Sequence, residues 1–346
     1  KTRLRYLFRP LTCDRLEAVR KNLQKSMLSA VRNIGSFPKG VIFTLCAAIF
    51  WGSMAVAAQA VMANGVVNAA ALVIVRLCSS GGLLLLWCCI TARSEIIKIF
   101  TNWTNFRDVL FGAVFIYGGQ FAFMLAIHYS NAGAAAIVLT TVPLWVALWE
   151  MIVNRSKPSP RMVICFLLAA VGVTLIVTKG EFDVSQFNLT GLTWAIICAV
   201  MTAGYSVQPR QLLKRVAVMP VMGSAMLFGG LMAVVASFFL PATFDFSRFD
   251  WMTAALLFHV VFFGTLMAFC LYMTALRLIS PVIASILSLG EPVSAYLLSV
   301  LVMGLDVGLI EGIGVVMVLA TVVLLAKTPR KSSEGENIAP RWKDQN

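Results

Sequence analysis

Ten apolar runs, each about as long as a bilayer core is thick, leave this chain almost no choice of solvent. They cover 40–62, 69–91, 108–129, 131–153, 160–178, 190–210, 218–240, 251–275, 280–303 and 307–326. A hydrocarbon core of roughly 30 Å takes about 20 helical residues to cross. Inside it every backbone polar group must find its partner within the protein, which each run achieves by coiling into a helix. With 60% of its 346 residues hydrophobic and 12% charged, the chain carries more apolar surface than a soluble domain of this length buries. The expected fold is therefore all-α and integral to a membrane, with ten transmembrane helices. The connections are short, the longest being 92–107, 179–189 and 241–250, so no soluble domain fits between spans.

The net charge of +13 raises the question of nucleic acid, and its distribution argues against that partner. Arg93, Lys98 and Arg107, then Arg155, Lys157 and Arg161, then Arg210, Lys214 and Arg215, then Arg277 fall on alternate junctions between spans. The other junctions hold only Lys179 and Arg248, near Glu181, Asp183, Asp245, Asp250 and Asp306. Lys and Arg concentrate in short cytoplasmic loops, so both termini are expected in the cytoplasm, which requires an even number of spans. Residues 1–39 form a basic tail, with an interfacial helix on anionic lipid and a loosely ordered extension as its two readings. Residues 327–346 read as a second cytoplasmic tail. Seven of the eight cysteines lie inside apolar runs and Cys13 in the basic tail, without a CxxC. They read as small packing residues rather than metal ligands or disulfides, and no cofactor is expected.

The chain also repeats itself. Displaced by 149 residues, "AIHYSNAGAAAIVLTTVPLWVALWEMIV" (126–153) falls on "ALRLISPVIASILSLGEPVSAYLLSVLV" (275–302) without a gap, and Pro143 superposes on Pro292. The span junctions coincide as well. Residues 40–178 and 190–326 thus read as two copies of a five-span unit. Because five is odd, the second copy enters the membrane from the opposite side, which is the inverted-repeat plan of many secondary transporters.

Four segments carry a resemblance: "AIFWGS" (48–53), "VRLCSSGGLLLL" (75–86), "AIHYSNAGAAAIVLTTVPLWVAL" (126–148) and "ALRLISPVIASILSLGEPVSAYLLSVLVMG" (275–304). Over residues 38–327 the chain resembles the EamA-type, ten-span branch of the drug/metabolite transporter superfamily. That resemblance implies export of metabolites, often amino acids or their analogues, across the bacterial inner membrane. The Glu that members often carry before the fifth and tenth spans is missing here, where the sequence reads "MIVNRSKP" and "LVMGLDVG".

Ionisable groups inside a bilayer cost roughly 2.5–3.5 kcal/mol each on insertion scales and are candidates for function. Glu291 lies near the middle of the ninth run. Pro292 removes the hydrogen bond to the Ser288 carbonyl and leaves an acceptor within a turn of the carboxylate. A polar notch in a cavity wall is one reading; a neutral carboxyl capped by a neighbouring helix is the other. Pro143 frees the Leu139 carbonyl beside Thr140 and Thr141, which suits either the pseudo-symmetric wall of the same cavity or a packing kink. Arg76 sits seven residues into the second span, roughly 10 Å deep, placed to pair a substrate carboxylate or to snorkel. Glu150, a turn from the end of its span, is expected to snorkel. His259 reads as a packing residue or a proton carrier.

Tyr117, Gln120, Phe121, Met124 and His128 share one face of the third span. With Trp51 and Tyr205 they would line a cavity with few fixed charges, or pack as a plain aromatic core. The lining suits a partly apolar zwitterion better than an inorganic ion or a sugar phosphate. Paired glycines at 81–82, 118–119 and 229–230, with Gly312 and Gly314, read as seams for close helix packing.

Three functions compete at this level. A secondary exporter of a small metabolite needs the repeats and a charged notch. A membrane-embedded transferase needs a metal or acid–base cluster, and the chain has two distant His and no DDxxD, HxxxxD or HExxH. A scaffold or receptor needs neither. The absence of a Walker A sequence removes direct ATP drive. Proton coupling and uniport both stay open, the bilayer and a small-molecule substrate are the partners, and a monomer is expected.

Overall fold

In the computed structural model, residues 35–129, 137–154, 158–181, 188–303 and 308–326 are described. The expectations for the two tails, for Arg155, Lys157, Asp183 and Asp306, and for the His128 side chain lie outside the described residues.

The architecture is all-helical. Eight helices are long and apolar enough to cross a membrane, and two shorter apolar helices, Ile137–Val153 and Leu309–Leu325, stand at the remaining expected spans. In chain order, α1 is Ser36–Ala63, α2 Ala69–Thr91, α3 Arg93–Thr101 and α4 Trp103–Tyr129. Then come α5 Val142–Asn154, α6 Pro160–Thr178, α7 Leu189–Val207, the short α8 Pro209–Leu212, and α9 Val218–Ala236. The eighth span is split into α10 Trp251–Val261 and α11 Ala268–Leu276, and the ninth into α12 Pro281–Ser288 and α13 Gly290–Met303; α14 is Leu309–Ala326. Among the described residues the sole β feature is a single bridge between Val67 and Phe244.

Local chemistry sets the helix ends. Asn68, Ser159, Asn188, Asp250 and Ser280 each place a side-chain oxygen on a backbone N–H of the first turn, and Pro160 and Pro281 open their helices where a missing N–H costs nothing. The segment 92–107 is not a plain loop. It holds α3, which buries Ile99 completely. Its Glu95 takes the Ala217 N–H at 3.0 Å and pairs with Lys98. The Lys98 hydrogen bond, and then that N–H, hold the Glu95 carboxyl below its ordinary range.

The described contacts run across the two sequence repeats. α2 packs along α9, α4 along α7 and α9, and α6 along α14. Glycines carry two of these seams. A Cβ on Gly81 would meet the Leu227 backbone, and a Cβ on Gly314 would meet the carbonyl of Gly172. Of the glycines expected to form seams, Gly82 and Gly312 face nothing within 4 Å. On the side opposite the basic loops, Asn68 holds the Pro241 carbonyl at 2.8 Å and joins the first and seventh connections.

Both proline-bearing spans are interrupted at matching points. α5 begins after a turn at Thr140–Thr141, and α13 begins after a turn at Leu289. The 149-residue displacement that aligns the sequence carries Thr140 onto Leu289. Pro292 thus stands in the first turn of a new helix rather than inside a kinked one. The half of the ninth span nearer the basic side, α12, packs chiefly on α1, α5, α6, α7, α11 and α14, whereas α13 packs chiefly on α1, α6 and α14. Leu212, Leu213, Leu276, Ile286 and Leu287 are fully buried on that basic side.

Candidate functional site

The break at Leu289 places Glu291 in the first turn of α13. The helix dipole favours an anion there, and the Glu291 carboxylate has no hydrogen bond or ion pair among the described residues. Its backbone is clamped from the other side. A Cβ on Gly52 of α1 would lie 2.8 Å from the Glu291 carbonyl and 2.7 Å from the Ala295 nitrogen. The Ser294 hydroxyl lies 3.0 Å from the Ala48 carbonyl and 2.8 Å from that of Glu291, free to donate to one at a time. Gly52 and Ser294 therefore fix where the carboxylate emerges.

Arg76 is held from the opposite repeat. It is 8% exposed, so it does not snorkel. Its Nε donates to Thr265 Oγ1 at 3.1 Å and its Nη1 to Gln120 Oε1 at 3.5 Å. Thr265 belongs to a π-helical turn, Phe262–Met267, and donates its own proton to the Val260 carbonyl at 2.8 Å, five residues back. A hydroxyl that donates one way and accepts the other is polarised toward the arginine. The extra residue of the π turn brings Gly264 against Met54, with no room for a Cβ. Arg76 Nη2 has no protein acceptor among the described residues.

Arg76 and Glu291 feel each other's charge, yet they form no ion pair. A buried guanidinium and a partly buried carboxyl stand within electrostatic reach of one another, with donors and acceptors left over. A guanidinium fork matches a carboxylate, and a carboxylate matches an ammonium group. On the basic side of this pair lies an aromatic cluster. Trp51 meets Phe269 edge-on and Tyr272 obliquely, both at 5.3 Å between ring centroids. Tyr205 meets the same two rings at 5.8 and 6.0 Å. Tyr272 is itself 3.0 Å from the Ser206 hydroxyl.

Of the residues singled out from sequence, Gln120 accepts from Arg76, Glu291 lies within electrostatic reach of Arg76, and Trp51 and Tyr205 belong to the aromatic cluster. Pro292 opens the helix that carries Glu291, and Ser288 Oγ turns back to the Ser285 carbonyl at 2.8 Å. Thr140 is buried with its hydroxyl on the Ile137 carbonyl, and Pro143 is buried at the matching break. Tyr117 stacks obliquely on Phe121 and lies beside Gly229, while Met124 packs against the main core. His259 bonds Ser53 at 2.9 Å across α1 and α10.

Glu150 departs from expectation. It is 6% exposed and pairs with Arg210 at 3.4 Å instead of reaching water. Sequence reasoning passed over Thr265, Phe269, Tyr272 and Glu311, the last buried in the first turn of α14. Among the described residues no group of His, Cys, Asp and Glu could hold a metal ion.

Comparisons with known proteins agree with this architecture. The EamA-like transporter family matches the chain twice, over residues 38–178 and 189–327. A protein of Salmonella typhimurium named "Uncharacterized inner membrane transporter YicL" is 30% identical over 302 residues, 86% of this chain and 98% of its own length. An "Uncharacterized transporter" of Clostridium kluyveri is 20% identical over 306 residues, 87% of this chain and 97% of its own. A crystal structure at 16% identity superposes with a TM-score of 0.70, over 84% of this chain and 97% of the other, and shows the same fold.

Proposed function

Because the chain belongs to the EamA-like transporter family, we propose that it is a secondary transporter that exports a small zwitterionic metabolite, an amino acid or close analogue, across the bacterial inner membrane. One observation carries this reading. Arg76 comes from the first repeat and Glu291 from the second, both unpaired with each other and in electrostatic reach. A zwitterion would place its carboxylate on the Arg76 fork and its ammonium group on Glu291, with its apolar part over Trp51, Phe269 and Tyr205.

The site would be opened to each side in turn by exchange between the two halves, related by an axis in the membrane plane. Dense packing of α12 on the basic side supports a state closed there. With both termini in the cytoplasm, that closed side is the cytoplasmic one. Asn64→Cys should then label from outside and Lys214→Cys only after permeabilisation; external labelling at 214 would reverse the orientation.

The deciding experiment is transport in proteoliposomes against a panel of amino acids, with and without a pH gradient. Saturable uptake of at least one zwitterion, competed by its analogues and weakened when either charge of the substrate is masked, is the expected result. A chain that moves none of the panel, or that moves esters and amides as fast as the free amino acid, is not a carrier of this class. Acceleration by the pH gradient would assign proton coupling, and indifference to it uniport.

A further inference from the structure

A second site, whose walls include the exposed Leu148 and Ile152, shares no lining residue with the charge pair. An apolar groove of about 210 Å³ runs between α5 and α7, lined by Trp145, Leu148, Trp149, Ile152, Val200 and Ala203. Its α5 wall runs from Trp145 to Val153, nine residues and roughly 12 Å of helix, against about 15 Å for one leaflet of a core roughly 30 Å thick. The groove therefore has the length and direction of part of an acyl chain. Trp149 is braced from behind, edge-on to Phe115 at 5.7 Å, and Trp145 donates to Thr141 Oγ1 at 3.2 Å, so both rings are held as fixed walls.

The groove ends in positive charge. Val200, Ala203, Val207 and Arg210 recur at helical spacing along α7 and α8, which carries the floor of the groove to the Arg210 side chain. Arg210 gives one nitrogen to Glu150 at 3.4 Å, remains partly exposed, and has further donors in its fork. Lys214 follows in the turn just past the end of α8, exposed and in no ion pair among the described residues. In sequence, Arg155 and Lys157 follow α5 directly. We infer that this groove is a binding site for an anionic phospholipid of the leaflet on the basic side, with one acyl chain between Trp145, Trp149 and Val200 and the phosphate at Arg210 and Lys214. Basic pockets between transmembrane helices hold acidic head groups by this combination of charge and apolar depth.

Native mass spectrometry of the purified full chain, titrated with phosphatidylglycerol and phosphatidylcholine of identical acyl chains, tests the site. Wild type should retain the anionic lipid about fivefold over the zwitterionic one. Arg210→Gln should bring that ratio close to one, and Ala203→Phe, which fills the groove, should lower retention of both lipids. Equal retention of the two lipids by wild type overturns the head-group assignment. Undiminished retention by Ala203→Phe places any bound lipid elsewhere, and this holds even where Arg210→Gln fails to fold. A lipid-free dimer whose contact is lost in Ala203→Phe would give the groove to a second copy of the chain and end the proposal.

Discussion

Pro143 and Pro292 each stand three residues beyond the first residue of a break in their helix, at Thr140 and Leu289. Each falls within the first three positions of the helix that follows. There the first N–H groups have no intrahelical partner, so proline removes nothing. What it does is stop the two halves of each span from fusing, because a continuous helix would need an N–H at residues 143 and 292 and would set the proline ring against the carbonyl four residues back. Pro292→Ala should therefore leave stability within about 1 kcal/mol of wild type and slow transport, because the span can heal into a rigid rod. Thermal unfolding and liposome transport on the same preparation check this. A mutant that transports at the wild-type rate would mean that the break is maintained without the proline.

Close approach of α1 to the Glu291 backbone depends on Gly52. Alanine there must displace Ser294 or the α13 backbone, and overpacking of this kind costs roughly 1–3 kcal/mol. Gly82 faces open space, and alanine there should be neutral or stabilising by up to about 1 kcal/mol through helix propensity. The two substitutions have the same chemistry and opposite surroundings. Comparing their unfolding temperatures isolates the contact, and equal shifts would show that Gly52 is no seam.

The Arg76–Thr265 bond predicts a positioning effect. Thr265→Val keeps the shape but removes the acceptor for Arg76 Nε, a hydrogen bond to a charged group worth about 1.5–3 kcal/mol. Substrate affinity should fall by roughly tenfold or more, Thr265→Ser should restore it, and in an Arg76→Gln background the same change should have little further effect. Independent, additive losses at the two positions would mean that Thr265 supports the helix rather than the arginine.

These residues also mark what could be read in advance. The ten apolar runs, the matched prolines and the intramembrane charges were visible because each violates the rules of apolar text. Arg76, Gln120 and Glu291 stood out as polar groups with nowhere else to go, and the structure gathers them. The π turn left no such mark. "FFGTLM" is as helical as its neighbours in composition, and a single inserted residue in a hydrogen-bond ladder shows only in three dimensions. Thr265 was hidden for the same reason, since a threonine in a span ordinarily bonds its own backbone. The short distance from Glu150 to the span end points to water, but distance measures access to water only when no partner is near, and Arg210 is near.

Glu291→Gln separates function from structure most directly. The substitution keeps shape and removes the cost of partly desolvating a carboxylate. Gly52, Ser294 and the break at Leu289 position the backbone without using the carboxylate, so the fold should persist with equal or higher thermal stability. Arg76 loses its nearby countercharge but keeps Thr265 and Gln120. A substrate that sets its ammonium group on Glu291 would lose that partner while its carboxylate could still reach Arg76. Transport should then fall at least roughly tenfold, equivalent to about 1.4 kcal/mol of transition-state stabilisation. A substrate analogue lacking the amine should be affected far less, because it never used the carboxylate. Where a proton is the coupling ion, the mutant should also lose its response to an imposed pH gradient while still exchanging substrate. The measurement is transport normalised to folded protein at two internal pH values, for wild type and mutant, with the amine-bearing substrate and its deaminated analogue. Wild-type rates in the mutant under all four conditions would remove Glu291 from the site.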